Sequence, residues 1–228
     1  MSAPPEHLRL GKPPQDEIRV ESRVGYPRRG NAISRTLARW ALKIAGWRIE
    51  GAVPAIPKFV LIVAPHTSNW DFIVGVLVMF AIDLKVSWLG KHTLFRFPLS
   101  PVLRWLGGEP IDRSVEHGTV RAAIGRFATR SSWVLGLTPQ GTRRPVRHWK
   151  TGFHRIALGA GVPIVAVWFD YGSRCVGFGT PFHPGPDESA DVVALRRLFR
   201  KEMARYPERY IEREGGDVLA KSESLDER

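Results

Sequence analysis

The chain is poor in cysteine, and this limits the kinds of site that it can build. Cys175 is the only cysteine among 228 residues. A single thiol forms no disulfide within the chain and no cysteine metal cluster, and such a composition is compatible with the reducing cytoplasm. Cys175 follows Tyr-Gly-Ser-Arg at residues 171–174, a pattern that predicts a turn entering a strand rather than a catalytic nucleophile.

Long apolar runs are also missing. The longest one extends from Phe72 to Ile82 and is bounded by Asp71 and Asp83. A membrane-spanning helix needs about 20 predominantly apolar residues, so this run predicts a helix that is too short to span a bilayer. The first residues are polar and proline-rich, and we expect no secretory signal from them.

Acidic residues are few compared with basic ones. The chain has 34 lysine and arginine residues against 22 aspartate and glutamate residues, a formal net charge of +12. This excess favours an anionic partner, and composition alone leaves three open: nucleic acid, an anionic membrane, or a phosphorylated substrate. No recognised nucleic-acid-binding motif accompanies the charge, so we do not expect nucleic acid as the partner.

Three common nucleotide-binding and hydrolase signatures are missing. The sequence contains no Gly-x-Gly-x-x-Gly, no Walker phosphate loop and no Gly-x-Ser-x-Gly elbow. Their absence argues against dinucleotide-dependent enzymes, P-loop nucleoside triphosphatases and serine hydrolases. His92, His148 and His154 show no metal-ligand spacing, and a solvated role is predicted for the last two. We therefore expect no metal and no bound cofactor.

Apolar runs of strand length alternate with segments of helical periodicity along the chain. The alternation predicts an α/β fold, layered, with a largely buried mixed sheet flanked by helices. Residues 1–30 carry many prolines and charges, which predicts a flexible N-terminal segment. Residues 31–48 predict an amphipathic helix, residues 49–228 one domain, and residues 191–205 a basic helix within that domain.

The helix predicted over residues 31–48 has one apolar stripe and basic residues on its other faces. Two interpretations stay open. The stripe packs into the core and the basic side is solvated, or the helix lies in a membrane interface and its arginines meet anionic lipid. The stripe comprises Ile33, Leu37, Trp40, Ile44 and Trp47, and the basic residues are Arg35, Arg39, Lys43 and Arg48.

One histidine follows a predicted buried strand and precedes a predicted helix. The strand covers residues 59–64, the helix residues 72–82, and His66 and Asp71 lie between them. This is where α/β folds place their chemistry. Asp71 has two interpretations that remain open here. With Ser68 it matches a helix-capping pattern, or its carboxylate orients the imidazole, whose other nitrogen then accepts a proton.

Four short blocks follow one another along the chain. They are His-Thr-Ser-Asn-Trp-Asp at residues 66–71, Gly-Glu-Pro-Ile-Asp-Arg at 108–113, Pro-Gln-Gly-Thr-Arg at 139–143 and Val-Pro-Ile-Val-Ala-Val at 162–167. In order and spacing they resemble the glycerolipid acyltransferase family, the lysophosphatidic-acid acyltransferase-like (1-acylglycerol-3-phosphate O-acyltransferase) enzymes. The resemblance implies an enzyme that moves a fatty acyl group from acyl-CoA or acyl-carrier protein to a hydroxyl of a lysophospholipid acceptor.

The resemblance also implies roles for residues in and near these blocks. His66 is the expected general base, and Asp71 is expected to orient it. Backbone N–H groups at the start of the following helix are candidates for stabilising the oxyanion. Gly141 would allow close backbone approach, and Arg143 would offer a fork of donors to a phosphate. The expected substrate-binding residues are Lys91, Arg113, Gln140, Gly141, Thr142 and Arg143.

Three positions depart from the family pattern. Gln140 stands where the family usually has glutamate, Ala166 replaces a second proline, and Pro65 precedes His66 where asparagine is frequent. Gln140 removes a charge beside Arg143, which keeps a non-phosphorylated lipid acceptor open as an alternative. An alternative from another class is a basic nucleic-acid- or lipid-binding protein without catalysis. Because His66 and Asp71 are intact, we expect an active, peripheral enzyme at the cytoplasmic face of the cell membrane, with an anionic membrane surface, the lysophospholipid and the acyl donor as partners.

Overall fold

The computed structural model describes residues 25–111 and 116–212, and its architecture is a seven-stranded mixed sheet with helices on both faces. The strands are β1 (Arg48–Glu50), β2 (Lys58–Ala64), β3 (Ser87–Lys91), β4 (Gly108–Ile111), β5 (Trp133–Leu137), β6 (Ile164–Asp170) and β7 (Cys175–Phe178). The helices are α1 (Ala32–Ile44), α2 (Trp70–Ala81), α3 (Leu99–Trp105), α4 (Glu116–Thr129), α5 (Gly152–Ala160) and α6 (Glu188–Arg196). The predicted α/β class, with a mixed sheet flanked by helices, is confirmed.

The sheet places one strand at its centre and several strand ends at one edge. Its order is β1-β7-β6-β2-β5-β3-β4. Strands β6, β2, β5, β3 and β4 are parallel to one another, and the antiparallel pairing lies between β6 and β7. The carboxyl ends of the five parallel strands therefore meet at one edge, the position where open α/β sheets bind their ligands.

Strand β2 supplies apolar side chains to both faces of the sheet. Phe59 and Leu61 pack on the side of α1 and α2, whereas Val60, Ile62 and Ala64 pack on the side of α4 and α5. This two-sided burial is typical of a central parallel strand. Each fully buried large side chain is worth about 1.5–3 kcal/mol, so the strand that leads into His66 is anchored firmly from both sides.

Helix α1 presents its apolar stripe to solvent. Asn31 caps the helix by accepting from the Ser34 N–H, and Ala38 and Leu42 form the face that packs towards α2. The four large stripe residues within the helix are between 60% and 71% exposed. The alternative in which the stripe packs into the core is therefore wrong for these four residues, whereas Trp47, which follows the helix, is partly buried and packs against the core. The four exposed residues are Ile33, Leu37, Trp40 and Ile44.

Two arginines of α1 make contacts within the protein. Arg35 forms an ion pair with Asp83, and Arg39 Nε donates a hydrogen bond of 2.9 Å to the carbonyl of Ala81. Both contacts attach α1 to the end of α2. The sequence left these side chains either solvated or in contact with anionic lipid, whereas in the structure they hold the two helices together.

Residues 25–30 are docked on the body of the protein. Tyr26 is buried, and the Arg29 N–H donates a hydrogen bond of 3.0 Å to the Asp83 carbonyl. Arg28 also forms an isolated bridge with Leu84. The flexible segment predicted over residues 1–30 therefore does not extend to residue 30, and residues 1–24 lie outside the described part.

Helix α6 is shorter than the helix predicted over residues 191–205. It begins at Glu188 because the Asp187 side chain caps it by accepting from the Ala190 N–H. It ends at Arg196, after which the chain turns and the Phe199 ring packs 5.5 Å from the Trp149 ring. Tertiary packing of this aromatic side chain thus overrides a continuing helical period.

Among the described residues, the helices are all too short or too polar to traverse a bilayer.

Candidate active site

His66 and Asp71 meet in the loop between β2 and α2. The His66 Nδ1 atom lies 3.0 Å from Asp71 Oδ2, and the two side chains are 15% and 1% exposed. Within the described residues Nδ1 makes no aligned hydrogen bond, so the contact is a close electrostatic approach. Because Nδ1 faces the carboxylate, Nε2 is the nitrogen left to accept a proton from a substrate.

Asp71 also caps the loop. Its Oδ2 atom accepts hydrogen bonds from the N–H groups of Thr67 at 2.9 Å and Ser68 at 3.0 Å. The residue at the helix start, Asn69, makes no side-chain cap. The capping interpretation of Asp71 agrees with these contacts. Its orienting role stays a prediction, and the same carboxylate oxygen that satisfies the loop donors also faces the imidazole.

Tyr171 is a contact of Asp71 that the sequence reasoning missed. Its hydroxyl donates a hydrogen bond of 2.7 Å to Asp71 Oδ1. Burial raises the pKa of the Tyr171 phenol well above its usual range, and the neighbouring Asp71 carboxylate raises it further. A signal was available, since Tyr171 directly follows β6 and β6 is a parallel neighbour of β2. Residues after neighbouring parallel strands converge at one edge.

Gln140 lies behind His66 rather than in the open part of the site. It follows β5 and is only 3% exposed. Its Oε1 atom accepts a hydrogen bond of 2.6 Å from the His66 N–H. The sequence predicted a substrate-binding role for Gln140, but the described contact is with the protein backbone, and it fixes where the loop begins.

The N–H groups near the start of α2 are largely engaged. His66 donates to Gln140, while Thr67 and Ser68 donate to Asp71. The Trp70 N–H donates to Ser68 Oγ at 3.1 Å. The sequence offered such groups as oxyanion donors. Their existing bonds make that role costly, since each would have to give up a partner.

A cavity of about 750 Å³ opens beside the pair. His66 and Asp71 contribute to its wall, together with residues from α2, from the segment after β5 and from α5. Much of the lining is apolar, and a cavity of this size can hold a ligand of several hundred daltons. Its apolar wall includes Phe72, Val76, Met79, Leu84, Trp88 and Phe169.

Gly141, Thr142 and Arg143 line the same cavity as His66. Gly141 has a φ of +65° and closes a turn in which its N–H donates to the Thr138 carbonyl at 2.9 Å. A side chain at this position would be strained, and its Cβ would come within 3.1 Å of the Lys150 side chain. The turn delivers Arg143, which is exposed, to the cavity rim.

The two remaining predicted binding residues are described only in part or not at all. Lys91 ends β3, whose carboxyl end lies at the same edge as those of β2 and β5. Its side chain is outside the described part of the protein. Arg113 also lies outside the described residues, so both assignments stay predictions.

The histidine of α5 corrects one sequence expectation. His154 is 1% exposed, and its Nε2 atom lies 2.8 Å from Asp191 Oδ2. The predicted solvated role is therefore wrong for His154, which joins α5 to α6, whereas His148 is exposed. Among the described residues, no group of three or more His, Cys, Asp or Glu side chains is arranged to hold a metal ion.

Cys175 has the environment of a structural thiol. It is buried at the start of β7. Burial, followed by the nearby Glu50, raises the pKa of the Cys175 thiol to about 12. A thiol with so high a pKa is protonated at neutral pH and a poor nucleophile.

Comparison with solved structures gives the same fold. The 1-acyl-sn-glycerophosphate (LPA) acyltransferase PlsC from Thermotoga maritima superposes with a TM-score of 0.53 at 18% sequence identity. The match covers 71% of this chain and 73% of that protein. At this identity the likeness concerns the fold alone.

Comparison with curated proteins finds relatives that share the same protein name. The 1-acyl-sn-glycerol-3-phosphate acyltransferases of Salmonella typhimurium and Escherichia coli are each 32% identical over 114 residues, 46% of this chain and 44% of theirs. The Haemophilus influenzae protein of that name is 26% identical over 144 residues, 58% of each chain. The chain thus spans about half the length of the curated relatives that it matches.

The family model described as Acyltransferase matches residues 49–170, more than half of the chain. The matched region contains the His66–Asp71 pair, the turn that carries Arg143 and strands β2 to β6. The chain therefore belongs to the acyltransferase family.

Proposed function

We propose that this protein transfers a fatty acyl group from a thioester donor to a hydroxyl of a lysophospholipid, with His66 as general base. The observation that carries the proposal is the placement of the pair. A histidine with one nitrogen 3.0 Å from a nearly fully buried carboxylate borders a cavity of about 750 Å³. An imidazole held in this way is suited to taking a proton from an alcohol.

The reaction follows from the poor nucleophilicity of a neutral alcohol. His66 Nε2 takes the hydroxyl proton while the alcohol oxygen attacks the thioester carbonyl, and the new C–O bond gives a tetrahedral oxyanion. When the oxyanion collapses, the C–S bond breaks and the departing sulfur takes the proton back from His66. No acyl-enzyme is needed, and Asp71 stabilises the transient imidazolium throughout.

The proposed substrates match the two kinds of cavity wall. The apolar wall can bury an acyl chain, and the rim carries Arg143, whose guanidinium can bind a phosphate through two parallel hydrogen bonds. The names of the curated relatives point to lysophosphatidic acid as acceptor. The donor is acyl-CoA or acyl-carrier protein, since both present the acyl group as a thioester.

A non-phosphorylated acceptor is less well supported than it was from the sequence. That alternative depended on Gln140 altering the charge beside Arg143. The Gln140 side chain is instead buried and hydrogen-bonded to the His66 backbone, so its neutral amide does not by itself disfavour a phosphate at the rim.

We further propose that the protein acts as a peripheral enzyme on the cytoplasmic face of the membrane. All but one of the large exposed hydrophobic side chains among the described residues fall on α1, the first half of α2 and the region of α3. The Phe80 ring of α2 lies 5.6 Å from the Trp105 ring of α3, which joins these elements side by side. We call this set the apolar surface: Ile33, Leu37, Trp40, Ile44, Trp70, Ile73, Leu94, Phe97, Leu99, Val102 and Trp105.

The decisive experiment is an acyl-transfer assay with purified protein. Lysophosphatidic acid and one acyl-CoA are incubated with wild type, His66→Ala and the matched control His148→Ala, and products are identified by mass spectrometry. We expect His66→Ala to lower turnover by at least about a hundredfold, the usual scale of a lost general base. His148→Ala alters an exposed side chain and should leave turnover unchanged.

Two results would contradict the proposal. One is a folded His66→Ala protein with nearly full activity, which would remove the base. The other is a wild-type protein that forms no phosphatidic acid from either acyl-CoA or acyl-carrier protein. A parallel incubation with monoacylglycerol shows whether the non-phosphorylated acceptor takes its place.

A further inference from the structure

We propose that Tyr171 is a positioning residue for the His66 base and acts on it through Asp71. The inference rests on the proposed function, because it assigns a part in the same acyl transfer. Tyr171 lies outside the four sequence blocks and after the region that matches the family model. Its role follows from the contacts that it makes in the fold.

The two oxygens of the Asp71 carboxylate are held by different donors. Oδ2 accepts from the N–H groups of Thr67 and Ser68 and faces His66 Nδ1. Oδ1 accepts from the Tyr171 hydroxyl at 2.7 Å. A carboxylate held through one oxygen can still rotate about its Cβ–Cγ bond, where the torsional preference is broad. The phenol on the second oxygen fixes the plane of the carboxylate, and with it the direction of the contact with the imidazole.

Tyr171 is itself held before any substrate arrives. Its N–H donates a hydrogen bond of 2.9 Å to the Met203 carbonyl. Its ring meets the Trp47 ring edge-on at 5.0 Å, and the Arg205 guanidinium lies 5.6 Å from the ring centre. Two segments distant in sequence, at Trp47 and at residues 203–205, therefore hold Tyr171 in place, which makes its hydroxyl a preorganised donor.

The Tyr171 phenol stays protonated over the whole pH range in which His66 can act as a base. Burial raises the pKa of Tyr171 above its usual range, and the Asp71 charge and hydrogen bond add to that rise, against the opposing effect of Arg205. Tyr171 therefore donates to Asp71 across the whole physiological pH range and does not take part as an acid.

The direction of the pH effect follows from the charges around the pair. Without the Tyr171 hydroxyl, Asp71 has one donor fewer, and more of its negative charge acts on the imidazolium of His66. The protonated base then persists to higher pH. Within the described residues, acidic side chains also lie in this neighbourhood: Asp170, which directly precedes Tyr171, Glu208 beside Arg209, and Glu188 beside Arg155. Cationic groups lie there as well, and the substitution leaves all of these charges in place. The cationic groups are Arg205 and Arg209 next to the loop, and Arg143, Lys150 and Arg155 on the cavity wall.

The test is the kinetic pH profile of Tyr171→Phe, with lysophosphatidic acid and an acyl-CoA as substrates. We expect kcat to fall about tenfold, the scale of one hydrogen bond lost from a charged pair. The KM for the acceptor should stay within about twofold, because Tyr171 acts on the base and not on bound substrate. The acidic limb of kcat/KM should move to higher pH.

Tyr26→Phe is the matched control. Tyr26 also packs beside α2, and its hydroxyl donates to the Ile82 carbonyl at 3.4 Å, at the far end of that helix. The control thus removes one buried hydroxyl without touching Asp71, and its pH profile should match wild type. If the two variants have the same kcat and the same profile, Tyr171 is only a packing residue and the proposal is wrong.

A double-mutant cycle tests whether Tyr171 works through Asp71. Asp71→Asn combined with Tyr171→Phe should be no slower than Asp71→Asn alone, because residues that act as a unit are not additive. Additive losses would overturn the proposal even if His66 remains essential.

Should Tyr171→Phe not fold, protein labelled with 3-fluorotyrosine replaces it. The more acidic phenol is a stronger donor, so the acidic limb should move to lower pH, and an unmoved limb counts against the proposal.

Discussion

The Gln140 side chain joins the loop of His66 to the end of β5. Removing this side chain tests whether Gln140 holds the loop in place or contacts the substrate. Gln140→Ala leaves the His66 N–H buried without its acceptor, a loss of about 1–3 kcal/mol in the free energy of unfolding. We expect kcat to fall with it, because the loop that carries the base loses a fixed point. Gln140→Glu keeps an acceptor oxygen and should retain most of the stability. Urea denaturation and initial rates on the two variants measure both effects.

The same pair of variants checks the substrate-binding role predicted from the sequence. If Gln140→Ala raises the acceptor KM while kcat and stability stay at wild-type values, then Gln140 contacts substrate. The hydrogen bond of 2.6 Å to the His66 backbone argues for the other outcome.

Arg143 is expected to set the preference for a phosphate. It stands at the cavity rim, directly after the turn formed by Gly141. Arg143→Ala should raise the KM for lysophosphatidic acid much more than the KM for monoacylglycerol. Arg143→Lys should recover little, because an ammonium group lacks the planar fork of donors. Initial rates against acceptor concentration measure both constants.

Arg147 provides the control for this prediction. It is exposed on the same basic segment but does not line the cavity. Arg147→Ala should therefore leave both KM values unchanged. An equal effect of Arg143→Ala on the two acceptors would show that Arg143 does not recognise the phosphate.

At the scale of elements, the apolar surface predicts how the protein meets a bilayer. Trp40→Ser on α1 and Phe97→Ser before α3 alter side chains that are 63% and 90% exposed, so neither should destabilise the fold. Burying a large apolar side chain in the interface is worth about 1.5–3 kcal/mol. Each variant should therefore bind vesicles more weakly in a flotation assay with anionic lipid.

Leu158→Ser is the control for the flotation assay, since Leu158 is 45% exposed on α5 and lies outside the apolar surface. Arg35 and Arg39 already have partners within the protein, so we expect only a modest effect of salt on vesicle binding. Variants of the apolar surface that float as well as wild type would rule out this surface as the membrane contact. Point changes are preferable to deleting α1, because Ala38 and Leu42 contribute to the core.

The elements themselves show which parts of the fold a sequence can predict. Strand β2 was predictable because its burial is nearly complete, so its apolar run has a single explanation. Helix α2 was predictable from the length of its apolar run, although only four of its 12 residues are buried. Helix α1 was ambiguous because an amphipathic period does not say which face meets the core. Its docked face consists of Ala38 and Leu42, which are less prominent than the exposed tryptophan and isoleucines.

The residues of the candidate site also differ in how well the sequence predicts them. His66, Asp71 and residues 141–143 were predicted from blocks that are continuous in sequence, and the structure brings them to one cavity. Tyr171 was missed because its partner lies 100 residues away. Its contact depends on the strand order β6-β2-β5, which the local pattern does not specify.

For the whole molecule, a buried thiol and a buried phenol predict a loss of stability at alkaline pH. Burial raises the pKa of both Cys175 and Tyr210 to about 12. The pKa of each group is higher in the folded protein than in the unfolded chain. The free energy of unfolding therefore has its full value below about pH 9 and decreases as the pH rises towards 12. We therefore expect the free energy of unfolding to fall over this range.

Tyr210→Phe is the variant that isolates this effect. Within the described residues the Tyr210 hydroxyl is buried beside the Arg196 guanidinium but makes no aligned hydrogen bond, so its removal should change stability little at neutral pH. Urea denaturation of wild type and variant at pH 8 and pH 10.5 gives the comparison. The loss of stability on alkalinisation should be smaller in Tyr210→Phe, and equal losses would show that Tyr210 does not contribute.

The C-terminal segment reaches back to the loop of His66, and this has a consequence for the newly made chain. The Tyr206 N–H donates to Thr67 Oγ1, and Arg209 donates to the Thr67 carbonyl, across 139 and 142 residues. At a synthesis rate of about 5–20 residues per second, these partners are synthesised on the order of ten seconds after Thr67. A ribosome halted before Tyr206 would carry a polypeptide whose central strands have all been translated. Its histidine loop would still lack these two contacts, so such a nascent chain should acquire its sheet before it acquires activity.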